Sequence, residues 1–414
     1  MTTYRIAMIC FHSCPQGQLG TRDVGGMNVY VRALARGLSE LMCKVDVYTR
    51  AHNQSHPSVE NMYENVRLIH IGAGPIEDLD KTAMYSHMAE FEKGMASFTS
   101  VDGAHYDLIH SHYWLSGLVG QHLSDTWGVP QVVTFHTIGA IKNSLPIGER
   151  EPEIRLVAER DIARACRRLI ATTENEKSWL THVCGVGTET VSVVPCGIDL
   201  GLFRPVDKLA ARKALGLAAG DKIVIAVGRI EPQKGLGRLI ECFSLLTRPD
   251  LRLLIIGGDI AHQAEVEGLK SLAAGLGVGG RVEFLGNVSQ EDLATYYSAA
   301  DVTVVASYYE SFCLVILESL ACGTPVVSTR VGIAPTVLSG TNGCVADDGT
   351  PRDLAQAITQ VIDGHHGLEA IRVRRATAAN YDWSVIAKQV TGVYKMTISP
   401  EVTTPIAVDG TRAH

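Results

Sequence analysis

Short apolar runs alternate with amphipathic segments along this chain, and this alternation restricts its fold more than any other feature. The strand-like runs of the first half are Arg5–Phe11, Lys44–Tyr48, Val66–Ile71, Leu108–His110, Gln131–Phe135, Arg168–Thr172 and Val191–Val194. The clearest helix between them, Val29–Leu41, aligns Val31, Leu34 and Leu38 on one face. Alternating strands and helices form a parallel sheet with helices on both faces, so the sequence predicts a doubly wound α/β domain.

The alternation stops at a turn-rich break and then begins again. After Cys196-Gly197-Ile198-Asp199, strand-like runs recur at Lys222–Val227, Leu251–Ile256, Val282–Phe284, Val302–Val305 and Val326–Ser328. We therefore predict two domains, residues 1–196 and 197–382, whose active site lies in the cleft at the carboxyl ends of the strands. A last amphipathic stretch, about residues 383–396, is expected to cross back onto the first domain, and residues 398–414 are expected to form a frayed tail.

Composition excludes several classes of protein. With 414 residues, 46% of them hydrophobic, the chain is long enough for two full cores. Its net charge of −7 argues against a nucleic-acid-binding protein, which needs clustered Lys and Arg. Ten cysteines without a Cys-x-x-Cys pair indicate reduced thiols, and the apolar run Ile6–Phe11 is too short for a signal peptide. We expect a cytoplasmic protein that has no transmembrane segment and acts on small-molecule substrates. The sequence leaves open whether the protein forms a homo-oligomer.

Two carboxylates, Glu310 and Glu318, lie where a nucleotide sugar could be held. Glu310 follows the strand-like run that ends at Val305, and Glu318 falls in a segment in which Leu314 and Leu317 recur at helical spacing. Backbone N–H groups and the helix dipole at such a turn favour a diphosphate, while Glu318 can accept hydrogen bonds from ribose hydroxyls. The structural alternative is an ordinary strand–turn–helix unit with two solvated acids.

Two loops carry further groups that suit a phosphate. Gly25-Gly26-Met27-Asn28 precedes the Val29–Leu41 helix, and its glycines allow close approach of the backbone to a ligand. In the second domain, Arg229 and Lys234 flank a loop between a strand and a helix, where both cations can neutralise a departing pyrophosphate. Because the glycine loop is not G-x-G-x-x-G, a dehydrogenase ranks below a sugar transferase. Plain or solvated loops are the structural alternatives.

Histidines mark the carboxyl ends of two strands in the first domain. His110 and His112 precede Tyr113, and His136 follows Phe135. No carboxylate or cysteine completes a ligand set at suitable spacing, so we predict hydrogen bonding to sugar hydroxyls and no metal site; for His110 a structural role is expected. The scattered basic residues of this domain, which charge pattern alone places on the surface, are Lys81, Lys142, Arg150 and Arg155.

Taken together, these residues resemble those of the retaining glycosyltransferases of family 4, which have the GT-B fold of two Rossmann-like domains facing a cleft. The resemblance implies that Glu310 and His136 contact the donor sugar and that Glu318 binds the ribose. The implied donor-binding residues are Gly25, Gly26, Arg229, Lys234, Glu310, Ser311, Phe312, Cys313, Leu314 and Glu318. The implied catalytic residues are His136, Glu310, Arg229 and Lys234.

Within family 4, several segments of the first domain are similar to the inositol-phosphate N-acetylglucosaminyltransferases of mycothiol synthesis. This similarity implies an acceptor site, directed mainly at a phosphate, that consists of His12, Arg22, Asn28, Lys81, Tyr113, Thr137 and Arg155. Sucrose-phosphate synthases share the glycine pair and a glycine like Gly139. The chain departs from the usual pattern at Arg22, where a small residue is usual, and at Cys313 and Ile333, where glycines are usual.

We therefore expect a hexosyltransferase that moves a hexose from UDP-glucose or UDP-N-acetylglucosamine to a small phosphorylated acceptor with retention. Because Arg22 disturbs the ring side of the acceptor pocket, fructose 6-phosphate is preferred over an inositol phosphate. No cofactor is expected beyond the UDP-sugar donor, and dependence on Mg²⁺ stays open. The alternatives are a sugar-nucleotide epimerase on the same fold and a non-catalytic sugar-binding protein.

Overall fold

The structure, a computed structural model, describes residues 3–17, 25–258, 262–364 and 366–399. The strands of its first sheet are β1 (Arg5–Ile9), β2 (Lys44–Arg50), β3 (Val59–Tyr63), β4 (Val66–Ile71), β5 (Leu108–His112), β6 (Gln131–Thr134), β7 (Arg168–Ala171) and β8 (Val191–Val193). They lie in the order β3-β4-β2-β1-β5-β6-β7-β8. Strand β3 is antiparallel to β4, whereas β1, β2 and β4 to β8 run parallel to their neighbours in this series.

The second sheet is parallel throughout the described strands. Its strands are β9 (Lys222–Val227), β10 (Leu251–Ile256), β11 (Val282–Gly286), β12 (Val302–Val305), β13 (Val326–Thr329) and β14 (Gly343–Ala346), in the order β11-β10-β9-β12-β13-β14. The order reverses direction between β9 and β12, as it does between β1 and β5 in the first sheet. Such switch points are where open parallel sheets bind ligands, because the connecting loops diverge there.

Helices cover both sheets. Those of the first half are α1 (Gly26–Glu40), α2 (Lys81–Tyr85), α3 (Met88–Asp102), α4 (Trp114–Trp127), α5 (Gly139–Asn143), α6 (Glu153–Ala165) and α7 (Glu174–Val183). Those of the second half are α8 (Lys208–Ala214), α9 (Leu236–Ser244), α10 (Gln263–Gly275), α11 (Gln290–Ala299), α12 (Leu314–Ala321), α13 (Ala334–Val337), α14 (Pro351–Ile362), α15 (Leu368–Ala379) and α16 (Trp383–Ile398). No described helix is both long and apolar enough to cross a membrane.

Helix α16 lies against the first domain. A Cβ atom added to Gly37 of α1 would lie 2.7 Å from the Cβ of Ala387, so the two helices are in close contact. At the far end of α16, the hydroxyl of Tyr394 is 2.7 Å from Nδ1 of His110 in β5. The buried apolar cluster that contains α1 and α16 also includes Ile316 and Leu317 of α12, so a shared core connects the sheets. The exact domain limits stay predictions.

The predicted α/β class is confirmed, and each predicted strand is present with ends within two residues of the expected ones. Two strands were missed. Strand β3 alternates partly buried and exposed residues at the sheet edge, and β14 is a four-residue strand that begins with a glycine, so neither shows an apolar run. The predicted start of α1 at Val29 was also wrong, because the helix begins at Gly26.

Candidate active site

Glu310 and Lys234 meet at the switch point of the second sheet. Glu310 lies between β12 and α12, and its Oε1 is 2.7 Å from Nζ of Lys234 and 2.7 Å from Oγ of Ser307. Burial alone would lower the pKa of Lys234, but the Glu310 carboxylate outweighs it and the pKa lies above its usual value. Lys234 therefore stays protonated, and the two side chains form one wall of a pocket at the carboxyl ends of β9 and β12.

Arg229 lines the same pocket. Its Nη1 is 2.6 Å from Oε1 of Glu231, and 37% of its side chain remains exposed. Gly235, the residue after Lys234, has φ of +66°, and a Cβ there would lie 2.0 Å from the carbonyl oxygen of Ala306. Only glycine fits at this contact, which holds the cationic loop against the end of β12.

Glu318 lies one turn inside α12 and is buried. Its Oε2 accepts a hydrogen bond of 2.7 Å from the hydroxyl of Tyr297 in α11. Burial raises the pKa of the Glu318 carboxyl to about 7, although the bond from Tyr297 works in the opposite direction. The carboxyl group is therefore balanced between its neutral and charged forms near neutral pH.

The loop that leads into α12 has a strained backbone and touches the first domain. Cys313, the residue before the helix, is buried with φ of 73°, a left-handed conformation that costs about 1–3 kcal/mol for a non-glycine residue. The carbonyl oxygen of Phe312 accepts a 2.8 Å hydrogen bond from the amide of Ile333. Across the cleft, Oγ1 of Thr172 lies 3.4 Å from the carbonyl oxygen of Ser311. This loop therefore connects the two domains.

The start of α1 faces the start of α12. A Cβ added to Gly26 would be 3.8 Å from Cδ1 of Leu314, and one added to Gly25 would meet nothing within 4 Å. The Asn28 side chain is fully buried, donates through Nδ2 to Ser13 Oγ and to a carbonyl at 2.8 Å each, and accepts from the Gly25 amide. Asn28 thus holds the start of α1 against the segment after β1, and within the described residues neither glycine has a side chain that would keep an anion from the helix N-terminus.

Three histidines lie at the ends of β5 and β6. Nδ1 of His112 is 2.9 Å from Nε2 of His136, and Nε2 of His110 is 3.0 Å from Oγ1 of Thr134. Burial lowers the pKa of His110 and of His136 to about 3, and that of His112 well below its usual value. All three imidazoles are therefore neutral at physiological pH. The predicted structural role of His110 agrees with its contact to Tyr394 on α16.

An aromatic and basic cluster surrounds Tyr113. The Tyr113 ring lies 4.3 Å from the His12 ring, 4.7 Å from the guanidinium carbon of Arg155 and 5.8 Å from Nζ of Lys81, measured to ring centroids. Burial lowers the pKa of His12 well below its usual value, and the charges of Lys81 and Arg155 lower it further. Within the described residues, Nδ1 of His12 is buried without a hydrogen-bond partner.

Arg155 is buried, so its predicted surface location was wrong. Its Nε is 2.6 Å from Glu159, its Nη1 is 2.8 Å from Glu151, and its Nη2 donates to the carbonyl and hydroxyl oxygens of Thr137 at 2.9 Å each. Burial opposes the charge of Arg155, but the two carboxylates outweigh it and the pKa of Arg155 lies above its usual value. Lys142, which belongs to the same basic set, pairs with Glu151.

The structure brings Arg229, Lys234, Glu310 and Cys313 together around one pocket at the edge of the second sheet, and it places Gly26 of the first domain opposite Leu314 at the start of α12. It brings His12, Lys81, Tyr113, Thr137 and Arg155 to one place on the first domain. Arg22 lies outside the described residues. Sequence reasoning missed Tyr297 and Glu159, which hold Glu318 and Arg155. The four-residue spacing of Arg155 and Glu159 was a usable signal, but nothing in the sequence marked Tyr297. No group of three or more His, Cys, Asp or Glu side chains in the described ranges is placed to hold a metal.

Two α/β domains with mostly parallel sheets and a cation-lined pocket at a switch point are the arrangement expected of a GT-B glycosyltransferase. Residues 24–202 match the Glycosyltransferase Family 4 model, and residues 207–379 match the model for Glycosyl transferases group 1. A D-inositol 3-phosphate glycosyltransferase 2 from Catenulispora acidiphila is 39% identical over 406 residues, 95% of each chain. The chain therefore belongs to this glycosyltransferase family and is a hexosyltransferase.

Two solved structures extend this result. The sucrose-phosphate synthase of Thermosynechococcus elongatus is 32% identical, has a TM-score of 0.87 and covers 95% of this chain and 98% of its own. Anabaena HepE in complex with UDP-glucose, at 21% identity, covers 94% of this chain and 99% of its own with a TM-score of 0.74, and thus shares the fold. The GT-B fold expected from the family resemblance is confirmed.

Proposed function

We propose that this enzyme transfers a hexose from a UDP-sugar to a small phosphorylated polyol or sugar, with retention at the anomeric carbon. The observation that carries the proposal is the joint placement of Arg229, Lys234 and Glu310 in one pocket, next to the start of α12, which contacts Gly26 at the N-terminus of α1. Cations and helix N-termini both stabilise a diphosphate, and a carboxylate beside them can accept from sugar hydroxyls. The structure of Anabaena HepE in complex with UDP-glucose supports UDP as the carrier.

For the acceptor, an inositol phosphate is the first compound to test. The relative named for D-inositol 3-phosphate is 39% identical over 95% of both chains, whereas sucrose-phosphate synthase is 32% identical. The comparisons thus give no support to the preference for fructose 6-phosphate that Arg22 suggested. Lys81, above the Tyr113 ring, supplies charge for the acceptor phosphate, and Arg155 shapes the same pocket by holding Thr137.

The proposed reaction needs positioning and charge more than a side-chain nucleophile. The bond between C1 of the sugar and the diphosphate breaks as the acceptor hydroxyl oxygen bonds to C1 on the same face. The proton of that hydroxyl passes to the departing diphosphate oxygen. Arg229 and Lys234 stabilise the negative charge that develops there, Glu310 and His136 orient the sugar, and Glu318 holds the ribose.

The ten cysteines are all free thiols, which favours the expected cytoplasmic location.

The test is product formation with defined pairs of substrates. UDP-glucose and UDP-N-acetylglucosamine are each incubated with myo-inositol phosphates and with fructose 6-phosphate, and UDP release is measured together with the anomeric configuration of the product by NMR. We expect an α-linked product from one phosphorylated acceptor. If the donor sugar is epimerised and no transfer occurs, the protein is an epimerase. If the UDP-sugar binds and no product forms, the protein is a sugar-binding protein.

A further inference from the structure

The two ring nitrogens of His112 are in very different surroundings. His112 is fully buried at the end of β5, and its Nδ1 is 2.9 Å from Nε2 of His136. Its Nε2, in contrast, is buried without a hydrogen-bond partner in the described part of the chain. A buried polar atom without a partner is costly, so the site retains this arrangement at some expense of stability.

A single proton lies between the two rings, and its position decides what His136 offers to a ligand. Both imidazoles are neutral, so each carries one N–H. If His136 donates from Nε2, then Nδ1 of His112 accepts, and the N–H of His112 must be on the unpartnered Nε2. If His112 donates from Nδ1, its unpartnered Nε2 has only a lone pair, and His136 carries its proton on Nδ1.

The second arrangement is favoured, because buried N–H groups without an acceptor are rarer than acceptors without a full set of donors. We propose that His112 is a positioning residue which donates from Nδ1 to Nε2 of His136 and thereby fixes His136 as the tautomer with an Nδ1–H group. The partly exposed His136 then presents an N–H donor to the cleft.

The backbone of His136 and one aromatic neighbour help to place its ring. His136 has φ of 63°, and the Tyr30 ring stands nearly perpendicular to the imidazole at 5.0 Å between centroids. With Nε2 engaged by His112, Nδ1 is the nitrogen of His136 that remains for a ligand. This inference rests on the proposed function in one respect: the acceptor of the Nδ1–H bond is an oxygen of the donor substrate, either a sugar hydroxyl or a phosphate. His136 donates a hydrogen bond to that oxygen and does not act as a general acid.

The first experiment needs no substrate. In protein labelled with ¹⁵N at its 15 histidines, coupling across an N–H···N bond joins the two rings, because one contributes Nδ1 and the other Nε2. We expect the proton of the coupled pair to lie on Nδ1 of the donor ring, His112. We also expect the other nitrogen of the acceptor ring, Nδ1 of His136, to carry a proton. A proton found on the ε2 nitrogen of the coupled pair would overturn the proposal. This result stands whether or not hexose transfer is detected.

The second experiment measures the consequence for turnover. His112→Asn keeps an N–H near the position of Nδ1, whereas His112→Leu removes it. We expect His112→Leu to lower kcat by roughly 10- to 100-fold with little change in KM for the UDP-sugar, by analogy with groups that orient metal-binding histidines, and His112→Asn to recover most of that loss. His122→Leu, at an exposed histidine of α4, is the control. Equal losses in the Asn and Leu variants, with unchanged thermal stability, would contradict a role through the donated proton.

Discussion

The two sides of the cleft hold their cations in opposite ways. On the donor side, Lys234 and Arg229 pair with Glu310 and Glu231, and 20% and 37% of their side chains are exposed. On the acceptor side, only 2% of the Arg155 side chain is exposed, because it lies among two carboxylates and Thr137. A phosphate can replace a carboxylate beside a partly exposed cation at small cost, but removing Arg155 would leave the buried Glu159 without its cation.

The difference separates cations that bind a ligand from one that builds the site. Lys234 and Arg229 are placed to exchange their carboxylate partners for a diphosphate during the reaction. Arg155, in contrast, keeps its partners and fixes the ring of Tyr113 and the loop at Thr137. Mutations of these cations are therefore expected to affect different quantities, namely activity for Lys234 and Arg229 and stability for Arg155.

The largest expected effect is on the stability of Arg155→Met. Removing one partner from a buried ion-pair network typically costs about 3–5 kcal/mol, and here it leaves Glu159 buried without its cation. Urea unfolding should show this loss. Arg160→Met on the same helix is the matched control, because the Arg160 side chain is 45% exposed and its ion pair with Glu153 is long at 3.6 Å. This variant should change the free energy of unfolding by less than about 1 kcal/mol. Similar small changes in both variants would remove the distinction between the two sides.

On the donor side, Lys234→Met and Arg229→Met should each lower kcat/KM by at least about 2 kcal/mol, roughly 30-fold, because each removes charge that stabilises the departing diphosphate. Their unfolding free energies should change less than that of Arg155→Met. Steady-state kinetics with saturating acceptor gives the first quantity. Lys270→Met, at an exposed pair with Glu267, provides the control. Wild-type activity in either donor-side variant would exclude that residue from diphosphate binding.

The pH dependence of UDP binding should distinguish Glu318 from the other groups. The pKa of Glu318 is raised to about 7 by burial, and ribose hydroxyls bind the ionised form, so affinity should fall by up to about tenfold per unit as pH decreases below 7. Calorimetry of UDP with Glu318→Gln in parallel cancels the titration of UDP itself. Parallel pH curves for the two proteins would contradict a ribose contact.

The raised pKa of Glu318 also predicts how stability changes with pH. Since the folded pKa of Glu318 lies above that of an unfolded chain, its contribution to stability is largest below the unfolded pKa and is lost as pH rises to about 7. Glu318→Gln cannot lose a proton, so its advantage in melting temperature over the wild type should grow between pH 5 and about pH 8. A constant difference would show that the carboxyl is ionised throughout.

The smallest expected effect is at Cys313. Because its φ of 73° is strained for any residue with a Cβ, Cys313→Gly should raise the free energy of unfolding by about 1 kcal/mol, while Cys313→Ala, which keeps the strain, should not. Denaturant unfolding of both variants measures the difference. If Ala and Gly behave alike, the backbone at this turn is not strained by the side chain.

These cases show how far sequence reasoning reaches. The alternation of apolar runs and helical stripes predicted both sheets, and the residues that follow strand ends, such as His136, Arg229 and Glu310, were located because parallel strands end at one edge. The partner of Glu318 could not be predicted, because Tyr297 meets it through the packing of α11 on α12. Arg155 was misplaced because its burial depends on Glu151 and Glu159 closing around it.

The proposed reaction is tested most directly by how much the phosphate of the acceptor increases kcat/KM. The ratio of kcat/KM for an inositol phosphate to that for free inositol is measured with the preferred UDP-sugar in the wild type and in Lys81→Met. We predict a ratio of at least about 100 in the wild type, since an unfilled basic pocket discriminates by orders of magnitude, and a much smaller ratio in Lys81→Met. Equal rates with the phosphorylated and the free acceptor in the wild type would contradict the account.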